Sequence, residues 1–145
     1  MFEHDAFVAV IHVANNHFAL AYGEFESKKI SYLDSLPSVI GGVVLDNILR
    51  FCADEWKNAE KLAIFPSRAD SVPFNASEWT KHVRGRGTIP IQTGTTDCGV
   101  YCALFADSLF TGHLDKDSFS QNDIAHARLH IARTVYRARI RNDTT

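Results

Sequence analysis

Segments of strand character crowd into the first 34 residues, and the later apolar spacing is mostly helical. This division constrains the fold more than any other feature of the chain. Ala6–Val13 (AFVAVIHV) is an apolar run rich in β-branched residues and of strand length. Asn15-Asn16 breaks it. Phe18–Tyr22 reads as a second strand, Gly23–Ser27 as a polar turn and Lys28–Asp34 as a third strand. Pro37 and Gly41-Gly42 punctuate the next stretch of chain. Leu45, Ile48, Leu49, Cys52 and Trp56 then recur at helical spacing, which predicts an amphipathic helix over Val43–Glu60. Leu62–Phe65 has the character of a short strand, and 66–77 reads as loop. Trp79–Val83 and Ile89–Gln92 read as strand ends around the turn Arg84-Gly85-Arg86-Gly87.

The glycine-threonine loop before Asp97 runs into a helix for which Asp97 is the expected N-cap. Val100, Ala103, Leu104, Leu109 and Phe110 would form its apolar side. Ser120-x-x-Asp123 has the pattern of a capping box and opens a last helix reaching Arg139, with Ile124, Ala127, Ile131 and Val135 as the buried stripe. Strands first and helices later place the chain in the α+β class.

At 145 residues the chain fits one domain, and a chain of that size buries a core without staples. Lys plus Arg total 15 against 17 Asp plus Glu, a formal charge of −2, which argues against a broad nucleic-acid-binding surface. The five arginines after Ser120 read as a solvated helix face. No apolar run is long enough to span a membrane, and the first residues are acidic where a signal peptide would be basic. Three cysteines, an odd number, make a poor disulfide framework and suit a reducing compartment. The expectation is an intracellular domain of nucleus or cytoplasm, with no membrane and no nucleic acid among its partners. Asp123, His126 and His130 fall at helical spacing but lack the glutamate of the metalloprotease pattern. They read as solvated, and neither a metal nor a cofactor is expected.

Cys98 stands at the predicted start of a helix. Helix N-termini carry partial positive charge and free N–H groups, which lower a thiol pKa and make the thiolate available. The alternative is a small buried hydrophobe, the reading also given to Cys52 and Cys102. A cysteine nucleophile needs a base and a group to orient that base. A hairpin turn centred between Phe25 and Glu26 makes His17 and Asp34 direct cross-strand partners on one face. A carboxylate there can hold one imidazole nitrogen and leave the other for a thiol, or the two can be an incidental surface pair. Gln92, just upstream of Cys98, carries an amide able to donate to a developing oxyanion, although most glutamines near loops do nothing chemical.

The stretches His17-Phe18-Ala19-Leu20, Tyr32-Leu33-Asp34-Ser35-Leu36 and Gln92-Thr93-Gly94-Thr95-Thr96-Asp97-Cys98-Gly99-Val100-Tyr101 together resemble the SUMO (sentrin) proteases, a family specific for ubiquitin-like proteins. Both the spacings and the chain order His, Asp, Gln, Cys fit that family. The resemblance implies a papain-like cysteine-protease core, a small mostly antiparallel sheet packed against the nucleophile helix and a C-terminal helix. It implies Cys98 as nucleophile, His17 as base, Asp34 as its orienter and Gln92 in the oxyanion hole, with Phe18, Asp97 and Gly99 contacting substrate. The implied activity is a thiol peptidase or isopeptidase that cuts after the C-terminal Gly-Gly of a ubiquitin-like modifier, SUMO above others, and its partners would be that modifier and its conjugates. Two departures stand out. Phe18 occupies the position of the family's tryptophan, and only 16 residues precede His17. The chain is therefore expected to be a single catalytic domain, residues 1–145, without the family's N-terminal lobe. It should leave apolar surface uncovered near Ala6–Val13, open to a partner or a second copy. The competing functions are a catalytically weak binding module of the same fold and a protease for ubiquitin, another ubiquitin-like modifier or a viral-type peptide sequence.

Overall fold

The computed structural model describes residues 4–13, 16–36, 40–61, 73–112 and 114–142. Three strands, β1 (Ala6–Val13), β2 (His17–Glu24) and β3 (Lys29–Leu33), form an antiparallel meander. The chain then crosses through helix α1 (Gly41–Lys61) to β4 (Thr80–Arg84), which adds parallel to β3. The sheet runs β1-β2-β3-β4. Helices α2 (Cys98–Phe110) and α3 (Ile124–Asn142) complete the chain.

Strand alternation sends side chains to two cores. Val13, Ala19, Ile30 and Tyr32 pack with Leu45 and Leu49 of α1 on one face. Leu20 and Leu33 pack with Tyr101, Cys102 and Phe105 of α2 and with Ile124 of α3 on the other. Helices α2 and α3 thus share one side of the sheet. Helix α1 starts hard against the opposite side. A Cβ on Gly41 would lie 2.7 Å from the Tyr32 ring and 2.8 Å from Val83, so only glycine lets the backbone come this close.

The hairpin register differs from the sequence expectation. Leu20 faces Leu33 and Glu24 faces Lys29, so the turn is centred between Glu26 and Ser27. Phe25 decides this. It packs against Phe7 and Trp79, with ring centroids 5.7 and 5.6 Å away, and its N–H donates to the Asp5 carbonyl at 2.9 Å. The anchored aromatic belongs to the sheet end, and the chain reverses after it, with Lys28 in the left-handed region (φ 50°). A shift of two residues preserves strand faces. Asp34 therefore moves from a position opposite His17 to a diagonal one on the same face.

Three further expectations are corrected. Ile89–Gln92 is not a strand; Ile89 makes one isolated bridge to Arg86 and otherwise fills the core. The buried side of α2 is Cys98, Tyr101, Cys102 and Phe105, while Phe110 is 72% exposed. This helix carries apolar residues on more than one side, so spacing alone could not choose its face; the sheet chooses it. In α3, Ile124 and Ala127 are buried but Val135 is 65% exposed, because the core ends before the helix does. The segment Leu62–Phe65 lies outside the described residues. The capping box of Ser120 and Asp123 is present, opening a 3₁₀ turn that runs into α3.

β1 is an edge strand, and its Val8 and Val10 are exposed. Among the described residues no helix is long and apolar enough to cross a membrane. Nor do the described residues bring three His, Cys, Asp or Glu side chains together as metal ligands would be.

Candidate active site

The first residue of β2 and the residue just after β3 meet at one end of the sheet. His17 Nε2 lies 2.6 Å from Asp34 Oδ1. A carboxylate only accepts, so the hydrogen bond puts the ring proton on Nε2 and leaves Nδ1 for a second partner. Asp34 is almost fully buried and further held: the Leu36 N–H donates to Oδ1 at 2.8 Å and the Tyr32 hydroxyl to Oδ2 at 3.2 Å. The carboxylate is therefore fixed before the imidazole meets it.

Cys98 begins α2 and is 5% exposed. Its Sγ lies 3.9 Å from the carbonyl oxygen of Asn16, the residue next to His17. The structure thus brings the α2 N-terminus to the His17–Asp34 end of the sheet. Cys52 and Cys102 differ in kind. Burial pushes the Cys52 thiol up to about 11 and the Cys102 thiol up to about 12. Both stay protonated near neutrality, as core thiols do.

Asp97 occupies the N-cap position of α2, but its carboxylate caps nothing. Arg128 of α3 holds Oδ1 at 2.5 Å, and the Gln121 amide donates to Oδ2 at 2.7 Å. These two hydrogen bonds hold the Asp97 carboxyl below its ordinary value, Arg128 contributing most. Because the carboxylate faces α3, it leaves the first-turn N–H groups of α2 to whatever enters in front of the helix. Any contact of Asp97 with substrate falls to its main chain. Gly99 is exposed, and a Cβ there would meet nothing within 4 Å, so the space before this turn is open.

Gln92 is 3% exposed. Its Nε2 donates to the Gly94 carbonyl at 2.7 Å, and its Oε1 accepts from the Ser35 hydroxyl at 2.7 Å. The Gly94 carbonyl can only accept, which fixes the orientation of the amide. One of the two Nε2 hydrogens is used, and the second remains. Phe18 is half exposed and packs on His12, ring centroids 5.1 Å apart. As the neighbour of His17 on β2, it points to the other face of the sheet, which it shares with Leu20 and which α2, the helix begun by Cys98, covers.

Sequence reasoning missed Tyr32, Ser35, Gln121 and Arg128. Tyr32 had a signal, since it sits two residues from Asp34 on the same strand face. Ser35 lay beside Asp34 within the Asp-Ser-Leu stretch, with no role assigned. Gln121 and Arg128 act only across tertiary contacts and left no local trace.

A mixed sheet between helices, with a thiol at a helix start against the residue that precedes a carboxylate-held imidazole, is the arrangement of a papain-like cysteine-peptidase core. The description "Ulp1 protease family, C-terminal catalytic domain" matches residues 1–142, and the chain belongs to that family. It is 27% identical over 107 residues to Sentrin-specific protease 2 of Homo sapiens, covering 74% of this chain and 16% of that protein. The fold superposes on SUMO protease Ulp1 with its catalytic cysteine oxidized to a sulfenic acid, at a TM-score of 0.69 and 19% identity, covering 90% of this chain and 52% of that one. It also superposes on the C-terminal Ulp1 protease domain in complex with Smt3, the yeast ortholog of SUMO, at a TM-score of 0.61 and 17% identity, covering 86% and 48%.

Proposed function

We propose that residues 1–145 act as a single catalytic domain, a thiol peptidase or isopeptidase that cuts after the C-terminal Gly-Gly of a SUMO-like modifier. The observation that carries this reading is the 2.6 Å His17–Asp34 hydrogen bond beside the Cys98 end of α2. The family membership and the Smt3 complex of the similar Ulp1 domain support the substrate class. The three free cysteines suit a reducing compartment, nucleus or cytoplasm.

In this mechanism His17 Nδ1 takes the proton of Cys98 Sγ, and the thiolate attacks the carbonyl carbon of the terminal glycine. Asp34 holds the imidazolium that forms. The negative charge that develops on the carbonyl oxygen is met by the Cys98 N–H and the remaining Nε2 hydrogen of Gln92. His17 then gives its proton to the leaving lysine or peptide nitrogen as the C–N bond breaks, and a thioester remains. His17 next deprotonates water, which attacks the thioester, and the thiol and the modifier's carboxylate are released. Phe18 supplies an aromatic wall for the Gly-Gly tail, and the main chain of Asp97 and Gly99 lines its path.

A panel of modifier vinyl-sulfone probes tests the reading. The expected result is a covalent adduct on Cys98 with the SUMO probe, abolished in Cys98→Ser and retained in Cys52→Ser and Cys102→Ser. An adduct with a different modifier alone would reassign the substrate. No adduct, with Cys98 intact and the protein folded, would leave a binding module.

A further inference from the structure

We propose that Ser35 is the positioning residue of Gln92, so that the adjacent residues Asp34 and Ser35 mount the base and the oxyanion donor on one stretch of chain. The proposal rests on the catalytic reading above. Ser35 is almost fully buried, and two bonds tie it to Gln92. The Gln92 N–H donates to the Ser35 carbonyl at 3.1 Å, and the Ser35 hydroxyl donates to Gln92 Oε1 at 2.7 Å. The amide is gripped at its other end by the Gly94 carbonyl. With Oε1 held by Ser35 and one Nε2 hydrogen held by Gly94, the plane of the amide is set and the second hydrogen has one direction. The preceding residue, Asp34, orients His17 from the same stretch, which is itself fixed to the sheet by the Asp34 N–H on the Arg84 carbonyl at 3.3 Å. Removing the hydroxyl frees the amide to rotate about its last torsion while leaving the base and the thiol in place.

The test is a double-variant cycle on a SUMO–aminomethylcoumarin conjugate. Ser35→Ala lowers kcat about 10²-fold, the loss expected when a catalytic group is misplaced by about 1 Å. KM stays near its original value, because the lost interaction strengthens only as charge develops. In a Gln92→Ala background Ser35→Ala costs nothing further. Alkylation of Cys98 by iodoacetamide, which builds no oxyanion, keeps its rate and its pH profile. Additive losses in the double variant, or alkylation that falls together with turnover, would overturn the proposal. The Gln92 side-chain amide in a ¹⁵N spectrum decides without turnover: its two inequivalent protons should move toward free-glutamine values in Ser35→Ala, and an unchanged pair sinks the idea. Wild-type protein that turns over no conjugate would count against the catalytic reading and leave this spectral arm standing. If Ser35→Ala does not fold, Ser35→Cys keeps the side chain with a weak donor, and the same measurements apply.

Discussion

Asp34 accepts from an imidazole, a main-chain N–H and a phenol hydroxyl within one buried site. An amide in its place can still accept from Leu36 but cannot hold the same imidazole proton as a carboxylate does. Asp34→Asn is expected to keep the fold and lower turnover by up to about 10⁴, the loss seen where such an orienter is neutralised. Unchanged turnover with an unchanged melting curve would remove Asp34 from the mechanism. The thiols give a second residue-level expectation. Cys52 and Cys102 titrate at about 11 and about 12 because burial penalises their thiolates. Iodoacetamide at neutral pH should mark Cys98, and labelling of the other two should rise only as pH climbs toward those values. Peptide mapping by mass spectrometry reads the order. Cys52 or Cys102 labelled first at neutral pH would reverse the assignment of the nucleophile.

At the scale of elements, α3 and the 3₁₀ turn before it are fastened to the loop before α2 by Arg128 and Gln121. Arg128 also donates to the Thr96 carbonyl, and Gln121 accepts from the Thr93 N–H. The Asp97 carboxyl titrates lower in the folded chain than in the unfolded one. The stability it lends is therefore complete above the ordinary aspartate value and is lost as pH falls through the lower, folded value. The melting temperature of Arg128→Gln should lie below that of the wild type at neutral pH, and the gap should narrow on acidification. A gap that widens in acid would contradict the fastening. Gly41→Ala tests how α1 seats on the sheet. The added methyl meets the buried Tyr32 ring and should destabilise by about 1–3 kcal/mol, the usual cost of overpacking, with Asp34 disturbed through the tyrosine. A melting curve equal to wild type would show that the helix start can shift. Elements were legible in the sequence where their period is local: the three early strands, α1 and the capping box. Faces and register were less so. Phe25 ends its strand because of Phe7 and Trp79, partners that no window around it contains.

Across the whole molecule, the candidate site was legible further than the packing around it. His17, Asp34, Gln92 and Cys98 belong to compact motifs of fixed order. Their supports do not: Ser35 reaches Gln92 across 57 residues, and Gln121 and Arg128 reach Asp97 across 24 and 31. The proposed site also draws on segments far apart in the sequence. The β2–β3 hairpin carries His17 and Asp34, while the grip on the loop before Cys98 comes from α3. A ribosome moving at roughly 5–20 residues per second therefore delivers Asp34 about 5–20 s before Arg128. Until Arg128 emerges, the loop before Cys98 lacks the contacts that fasten it to α3, so on the proposed reading the site is completed only when α3 folds against α2.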